Sequence, residues 1–138
     1  MSGLPGTGKD TLISSRYPDL PVVSLDDIRR RLGVSPTEKQ GRVVAAAHEE
    51  AKGYLRKRRP FVWNATSIMN VLRDKQISLF EEYGASVKTL FIETSWEEEL
   101  RRNASRGAAV PESVIERMLS RLEIPERGES ESVVWEIT

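Results

Sequence analysis

An α/β fold, with a parallel sheet covered by helices on both faces, is predicted for this chain by three observations. Short runs of apolar, β-prone residues alternate with longer segments of helical periodicity. Most boundaries between these segments carry a glycine, a proline or a capping residue. The 138 residues, 38% of them apolar, suffice for one domain, 1–138, with a sizeable core.

The first half of the chain contains two predicted strands and three predicted helices. The helices are Asp10 to Arg16, a short one capped by Asp26 or Asp27 and ended by Gly33, and Glu38 to about Lys57; the strands are Pro21 to Leu25 and Phe61 to Trp63. Thr37 and Gln40 have the spacing of a capping box, which predicts the start of the third helix. The strands are compact β-branched and aromatic runs, as expected of buried parallel strands.

The second half continues the alternation. The predicted elements are a helix from Met69 to Tyr83, a strand from Val87 to Ile92, a helix capped by Ser95, a helix from Glu112 to Leu122 and a strand from Val133 to Ile137. Gly84 is placed to end the first of these helices, and Pro111 suits the first position of the last helix.

Composition excludes several classes of protein. The chain has 21 basic and 21 acidic residues and no cysteine, so a disulfide framework, thiol catalysis and cysteine-bound zinc are excluded. His48 is the single histidine, which leaves no histidine cluster for a metal. No apolar run reaches the length of a spanning helix and the start lacks a signal-peptide pattern, so we expect a cytoplasmic protein that makes no membrane contact.

The strongest chemical motif is a glycine-rich loop at the start of the chain. The predicted phosphate-binding residues are Gly3, Leu4, Pro5, Gly6, Thr7, Gly8, Lys9, Asp10 and Thr11. Glycines let the backbone curl so that its N–H groups point at phosphates, and the lysine supplies a compact cation. These features predict ATP and Mg²⁺ as ligands. Asp10 stands where such loops usually carry the hydroxyl that binds Mg²⁺, so we expect Asp10 to bind the metal and the reaction to depend strictly on it.

A strand normally precedes a phosphate-binding loop and lies in the middle of the sheet, yet only Met1 and Ser2 precede Gly3 here. Either the assigned start has lost that strand or another chain supplies it, and we expect the former. A sheet without its middle strand leaves backbone groups unpaired, at a cost of about 1–3 kcal/mol for each buried one.

A pair of aspartates follows the strand that ends at Leu25. Ligands of parallel α/β sheets bind at the carboxyl ends of the strands, so Asp26 is predicted to face the phosphates as a general base. Arg29 lies three residues further, on the same helical face as Asp26, whereas Asp27 points elsewhere. In the alternative interpretation, both aspartates only cap the helix.

Two arginines mark a candidate lid at about residues 101–111. Arg102 and Arg106 are four residues apart, which predicts that both project from one helix face ahead of a Gly107 loop. Such a segment can close positive charge over a transferring phosphoryl group. The alternative is a pair of exposed arginines bound to the acidic side chains of Glu97 to Glu99.

Three further features carry weaker indications. Asn64 directly follows a strand and is a candidate substrate-orienting residue or simply a turn former. His48 is assigned to structure or solvent. The basic run Arg56 to Arg59 is interpreted as a solvated helix end, with nucleic-acid contact as the alternative.

The order of these motifs, GLPGTGKDT, then SLDDIR, then WEEELRRNASRG, resembles the kinase domain of the phage-type polynucleotide 5′-hydroxyl kinases, an AAA-like ATP-binding domain. The resemblance extends from Gly3 to about Leu122. It implies a three-layer P-loop kinase fold with strand order 2-3-1-4-5, in which the missing strand is number 1. It also implies transfer of the ATP γ-phosphate to the 5′-hydroxyl of a polynucleotide, in nucleic-acid repair.

The resemblance implies a role for each matching residue. Asp26 would accept the hydroxyl proton, Arg29 would hold the acceptor phosphate, Lys9 would stabilise the transferring group, and Arg102 and Arg106 would bind the donor phosphates.

The chain departs from this family's pattern in three ways: Asp10 replaces a hydroxyl, Asn64 replaces an acidic residue, and the first strand is absent. Two alternatives therefore stay open. The chain could phosphorylate a small molecule, such as a sugar, a nucleotide-sugar or an antibiotic, or it could be an ATP-binding module whose kinase activity has decayed. The oligomeric state and the choice between RNA and DNA are left open.

The zero net charge conceals an uneven distribution. Residues 29 to 59 contain 10 basic and 3 acidic residues, a net charge of +7, and this stretch begins beside the proposed acceptor site. A focused basic groove is therefore possible on a neutral protein, which favours a nucleic-acid acceptor.

Overall fold

The computed structural model describes residues 1–107 and 109–138. Six helices and four strands alternate along these residues: α1 (Lys9–Arg16), β1 (Val22–Ser24), α2 (Leu25–Leu32), α3 (Gly41–Arg56), β2 (Val62–Asn64), α4 (Asn70–Glu82), β3 (Lys88–Glu93), α5 (Trp96–Ala104), α6 (Glu112–Leu119) and β4 (Ser132–Ile137). All of these elements were predicted, with boundaries that differ by a few residues.

The strands form two parallel pairs, β1 with β2 and β3 with β4. The first three residues lie between the two pairs. The Met1 nitrogen donates to the carbonyl of Trp63 in β2 at 2.7 Å, and Ser2 forms a parallel bridge with Phe91 in β3. If these residues are counted as the end of strand 1, the order is 2-3-1-4-5, and the predicted α/β P-loop fold is confirmed.

The core lies between α3 and the β1–β2 pair. Val43, Ala47, Ala51 and Leu55 repeat every four residues along α3, so they form one buried face. Small alanines let the helix pack closely on the strand residue Val23, which is fully buried.

Aromatic contacts extend this core towards α4. Trp63 of β2 meets Phe80 of α4 edge-on, with ring centroids 5.5 Å apart. His48 stacks on Trp63 with ring centroids 5.7 Å apart and forms a hydrogen bond with Gln76 at 2.8 Å, which agrees with its predicted structural role.

Several predicted helix ends are wrong. Ser24, not Asp26 or Asp27, caps α2, because its side chain accepts from the Asp27 nitrogen at 3.3 Å. The predicted capping box is also wrong. The helix α3 begins at Gly41, and the Gln40 side chain accepts a hydrogen bond from Arg29 instead of from a backbone nitrogen at the helix start.

A buried ion pair connects α4 to the turn before β4. Arg73 donates to Glu129 at 2.8 and 2.9 Å, and the Arg73 side chain is almost fully buried. The hydrogen bond from Arg73 lowers the pKa of Glu129. None of the described helices is long and apolar enough to cross a membrane.

Candidate active site

The glycine-rich loop curls between β3 and α1. Gly6 and Gly8 have φ of 89° and 90°, a left-handed conformation that side chains rarely adopt. Gly3 is required for a different reason, since a Cβ there would lie 2.5 Å from the Ile92 carbonyl oxygen. The three glycines named by the sequence motif are thus each demanded by the backbone.

Lys9 begins α1 and folds back under the loop. Its Nζ donates to the carbonyl oxygens of Gly3 at 2.8 Å and Leu4 at 2.7 Å. Burial lowers the pKa of Lys9 to about 8, although the nearby carboxylates of Asp26 and Asp10 act in the opposite direction. The ammonium is therefore held within electrostatic reach of both predicted aspartates.

Asp10 and Asn64 lie in direct contact. The Asn64 Nδ2 donates to the Asp10 carboxylate at 2.8 Å, across 54 residues of sequence. Asn64 is 7% exposed, and within the described part of the chain its Oδ1 has no hydrogen-bond partner. Two of the three departures from the family pattern thus meet at one point beside the loop.

Asp26 lies in the first turn of α2, where β1 ends. Its side chain is 66% exposed and forms an ion pair with Arg29, as the three-residue spacing predicted. The other side of the Arg29 guanidinium donates to Gln40 at 2.6 Å. Arg29 is therefore held between two partners, while the Asp26 carboxylate stays accessible to solvent.

The two predicted lid arginines do not share a helix face. Arg102 lies in α5, but the helix ends at Ala104 and Arg106 lies in the turn that follows. The end of α5 is set by Asn103, whose side chain donates to the Val110 carbonyl at 2.6 Å and accepts from the Val110 nitrogen at 2.9 Å. The predicted lid, 101–111, includes residue 108, which lies outside the described residues.

Arg102 is nevertheless placed against the phosphate loop. It donates to Glu98 at 2.5 Å and to the hydroxyl of Thr138 at 3.1 Å, and that hydroxyl donates to the Thr7 carbonyl at 2.8 Å. A Cβ on Gly8 would lie 3.4 Å from the Arg102 guanidinium. Arg102 thus also forms the ion pair of the alternative interpretation, with Glu98 of α5, while it contacts the loop through Thr138.

Glu99 is a neighbour of the loop that sequence reasoning missed. It is 2% exposed, its backbone carbonyl faces Gly6, and among the described residues its Oε1 finds no hydrogen-bond donor. Burial raises the pKa of Glu99 to about 6, and the charge of Lys9 opposes this shift. Because Glu99 stands in a run of three glutamates at the start of a helix, the sequence suggests an exposed side chain.

Replacement of Glu99 by glutamine is expected to stabilise the protein above pH 6. The folded state binds a proton more tightly than the unfolded chain, so wild-type stability falls as the pH rises from about 4.5 to 6. Glutamine removes this loss, which amounts to roughly 1–2 kcal/mol. Urea unfolding at pH 5 and pH 8 measures the effect, with the exposed Glu97→Gln as control. Equal stability of Glu99→Gln and wild type at pH 8 would contradict it.

The donor set beside the loop fits a magnesium ion bound mainly through ATP. Mg²⁺ is commonly held by one or two protein oxygens together with substrate phosphates and waters. Asp10 offers an accessible carboxylate, and the buried Asn64 Oδ1 is a second oxygen without a partner. In the part of the chain that the structure describes, no cluster of three or more acidic or histidine side chains forms a separate metal cage.

Comparison with known proteins agrees with this architecture. A family model described as an AAA domain matches residues 1–125. Among solved structures, a sugar kinase from Janibacter sp. superposes with a TM-score of 0.69 at 19% identity, covering 99% of this chain and 82% of that one. A candidate kinase from Chloroflexus aurantiacus superposes with a TM-score of 0.74 at 22% identity, covering 99% of this chain and 81% of that one. A gluconokinase from Sinorhizobium meliloti superposes with a TM-score of 0.64 at 23% identity, covering 97% of this chain and 79% of that one.

The fold and the loop define a P-loop kinase domain. More particularly, the chain belongs to the AAA domain family, whose model covers nearly all of it. The structural neighbours, at these identities, establish the shared fold. They do not support the predicted polynucleotide kinase family, which stays a prediction.

Proposed function

We propose that this protein is an ATP-dependent kinase that phosphorylates a hydroxyl of a small molecule, with a sugar as the first candidate. The observation that carries the proposal is the meeting of three groups at the carboxyl ends of the strands. Lys9 lies under the phosphate loop, Asp10 contacts Asn64 at the end of β2, and Asp26 follows the end of β1. This corner combines a site for the donor phosphates with an exposed carboxylate that can receive a hydroxyl proton.

Each residue has a defined part in the proposed reaction. The loop backbone and Lys9 bind the donor phosphates, and Lys9 neutralises charge on the transferring group. Asp26 accepts the proton of the attacking hydroxyl, while Arg29 fixes the carboxylate orientation. Arg102 and Arg106 contribute positive charge from the far side of the loop. Catalysis then follows mainly from positioning and charge neutralisation.

Asp10 would hold the Mg²⁺ ion, with Asn64 fixing its carboxylate. When bound, the metal supplies neutralisation of the phosphate charge that Asp10 would otherwise repel.

The charges beside Asp26 favour a small acceptor over a polynucleotide. Arg30 and Arg31 of α2 pair with Asp27 and Glu50, so the basic residues of α2 next to Asp26 are already paired within the protein. The run 56–59 precedes β2, so it lies at the amino edge of the sheet, opposite the loop. Similarity to a sugar kinase and a gluconokinase points the same way.

Labelled ATP distinguishes the candidate acceptors. The full chain is incubated with Mg²⁺, labelled ATP and, in separate reactions, a sugar and sugar-acid panel, 5′-hydroxyl oligonucleotides, or water alone. Label on a sugar is expected. Label on the oligonucleotide would restore the polynucleotide prediction, and ATP binding without any transfer would indicate a decayed module. The Asp26→Asn variant shows that any transfer belongs to this site.

Arg102→Ala is expected to raise the KM for ATP about tenfold, the equivalent of one charge-assisted contact. Arg101 provides a matched control, because it binds the same Glu98 but points into solvent. Steady-state kinetics at saturating acceptor measure both variants. Equal effects of Arg101→Ala and Arg102→Ala would mean that the loss of Glu98 pairing, not contact with ATP, is responsible.

The contact between Asp10 and Asn64 is testable by exchange. Asn64→Asp alone places two carboxylates in contact and is expected to weaken ATP binding, and Asp10→Ser alone removes the metal ligand. The double variant Asp10→Ser/Asn64→Asp moves the carboxylate from position 10 to position 64 and places a hydroxyl at position 10, as in the family pattern. The loss of Mg²⁺-dependent ATP-binding free energy in the double variant should be smaller than the sum of the two single losses by at least about 1 kcal/mol. Additive losses would show that the two positions act independently.

A further inference from the structure

The segment between α2 and α3, residues 34–40, is attached to Arg29 at both of its ends, and we call it the α2–α3 turn. Gly33, with a φ of 66°, ends α2 in the left-handed conformation and turns the chain back. As a result, the Val34 nitrogen donates to the Arg29 carbonyl at 3.0 Å. At the other end of the turn, Gln40 accepts a hydrogen bond from the Arg29 Nε at 2.6 Å. One attachment uses the backbone of Arg29 and the other uses its side chain.

The orientation of the Gln40 amide is fixed by the turn itself. Its Nε2 donates to the carbonyl oxygens of Ser35 at 2.9 Å and Glu38 at 2.7 Å. Backbone carbonyls only accept hydrogen bonds, so the nitrogen of the amide must face them and the oxygen must face Arg29. The Ser35 carbonyl also accepts from the Glu38 nitrogen at 3.1 Å, which closes the turn. The oxygen that receives the Arg29 Nε–H is therefore held in place by two backbone groups.

Arg29 passes this constraint on to Asp26. Its Nη1 donates to the Asp26 Oδ1, while its Nε is bound to Gln40. The guanidinium is planar, so fixing the direction of one N–H also fixes the directions of the others. The Arg29 side chain is mostly covered, whereas that of Asp26 is mostly exposed. An exposed carboxylate is thus oriented by a covered arginine, and that arginine is oriented by Gln40.

The adjacent ion pair shows what the spacing alone provides. Asp27 and Arg30 are also three residues apart on α2, and both of their side chains are more than 60% exposed. In the described part of the chain, the Arg30 side chain has Asp27 as its one hydrogen-bond partner. Exposed pairs of this kind contribute little, because two long side chains must give up rotamer freedom to stay together. The bond to Gln40 is what distinguishes Arg29 from Arg30.

We propose that Gln40 is a positioning residue for the kinase reaction: it fixes Arg29, and through Arg29 it holds the Asp26 carboxylate in the orientation that receives the proton of the attacking hydroxyl. This inference rests on the proposed function, which assigns Asp26 as the proton acceptor. Gln40 acts only through Arg29. Its loss leaves the phosphate loop intact, so it lowers kcat and leaves the KM for ATP unchanged.

Gln40→Met tests this role, because methionine has a similar length but lacks the amide. With ATP and a sugar that accepts label in the transfer assay, kcat should fall at least about tenfold, the effect of a misplaced reacting group. The KM for ATP should stay within about twofold, because the contacts of ATP are not altered. Gln76→Met is the matched control and should keep the wild-type kcat, since the Gln76 amide bonds His48 between α3 and α4.

The same measurements in the Arg29→Ala background separate positioning from a structural role. In that background, Gln40→Met should change kcat by less than about twofold, because there is no guanidinium left to orient. A turn that supports the site independently of Arg29 would lower kcat by the same factor in both backgrounds. That result would overturn the inference.

The Arg29 Nε–H signal in nuclear magnetic resonance provides a readout that needs no acceptor. The signal is identified by its loss in Arg29→Ala, and its exchange with solvent should become at least about tenfold faster in Gln40→Met but not in Gln76→Met. An unchanged exchange rate in Gln40→Met would overturn the inference. Transfer by the wild type with an equal kcat in Gln40→Met would overturn this inference alone, whereas a wild-type chain that transfers phosphate to no acceptor would overturn the proposed function.

Discussion

Replacement of Lys9 by alanine is expected to reduce ATP-dependent transfer by about 100- to 1,000-fold, the range found when a preorganised charge contact to a transition state is removed. Lys9 Nζ is held under the loop by the carbonyls of Gly3 and Leu4, so its charge is already placed where phosphates bind. Because the same charge attracts bound ATP, affinity for ATP should fall as well.

The measurement is kcat/KM for transfer together with the Kd for ATP from calorimetry. Lys75→Ala serves as control, since Lys75 is an exposed lysine on α4. Melting curves of both variants establish that the loop substitution leaves the fold intact. An Lys9→Ala variant with unchanged kcat/KM would exclude the loop as the donor site.

Replacement of Asp26 by asparagine is expected to reduce kcat by about 100- to 10,000-fold, the range for loss of a general base. The affinity for ATP should stay within about twofold, because the proposed contact of Asp26 is with the acceptor hydroxyl and not with ATP. Stability should change little, since the ion pair with Arg29 is exposed on the Asp26 side and such pairs contribute about 0–1 kcal/mol.

Asp27→Asn is the matched control for this substitution. Asp27 is the adjacent residue, is similarly exposed and pairs with Arg30 in the same three-residue spacing. If both aspartates only stabilise the first turn of α2 through their arginine pairs, the two substitutions will have equal effects. A large kcat loss confined to Asp26→Asn supports its role as the base.

Local patterns predicted most of the fold. The phosphate loop, the parallel strands and the Ser95 cap were readable because glycine spacing, β-branched runs and capping residues act within a few residues. These local patterns gave wrong helix ends where a residue distant in sequence forms a hydrogen bond with the capping side chain. Gln40 bonds Arg29 across eleven residues, so it does not complete a capping box, and the Asn103 contact with Val110 ends α5 before Arg106.

The candidate site was predicted only in its residues, not in its contacts. Asp10 and Asn64 were each noticed as departures, but the 54 residues between them gave no sign that they touch. Glu99 was hidden among exposed glutamates, and its burial depends on how α5 packs on the loop. Helical periodicity placed it off the exposed face, a signal that could have found it.

The resting position of Lys9 has a consequence for which anions the loop accepts. Its ammonium is already shared between two backbone carbonyls, so an incoming anion must replace both of these contacts before it gains the charge. A ligand with several adjacent phosphate oxygens can do so while also bonding the loop nitrogens, whereas inorganic phosphate offers fewer compensating bonds. The two carbonyl contacts of Lys9 therefore favour a polyphosphate over a monophosphate as the ligand of this loop.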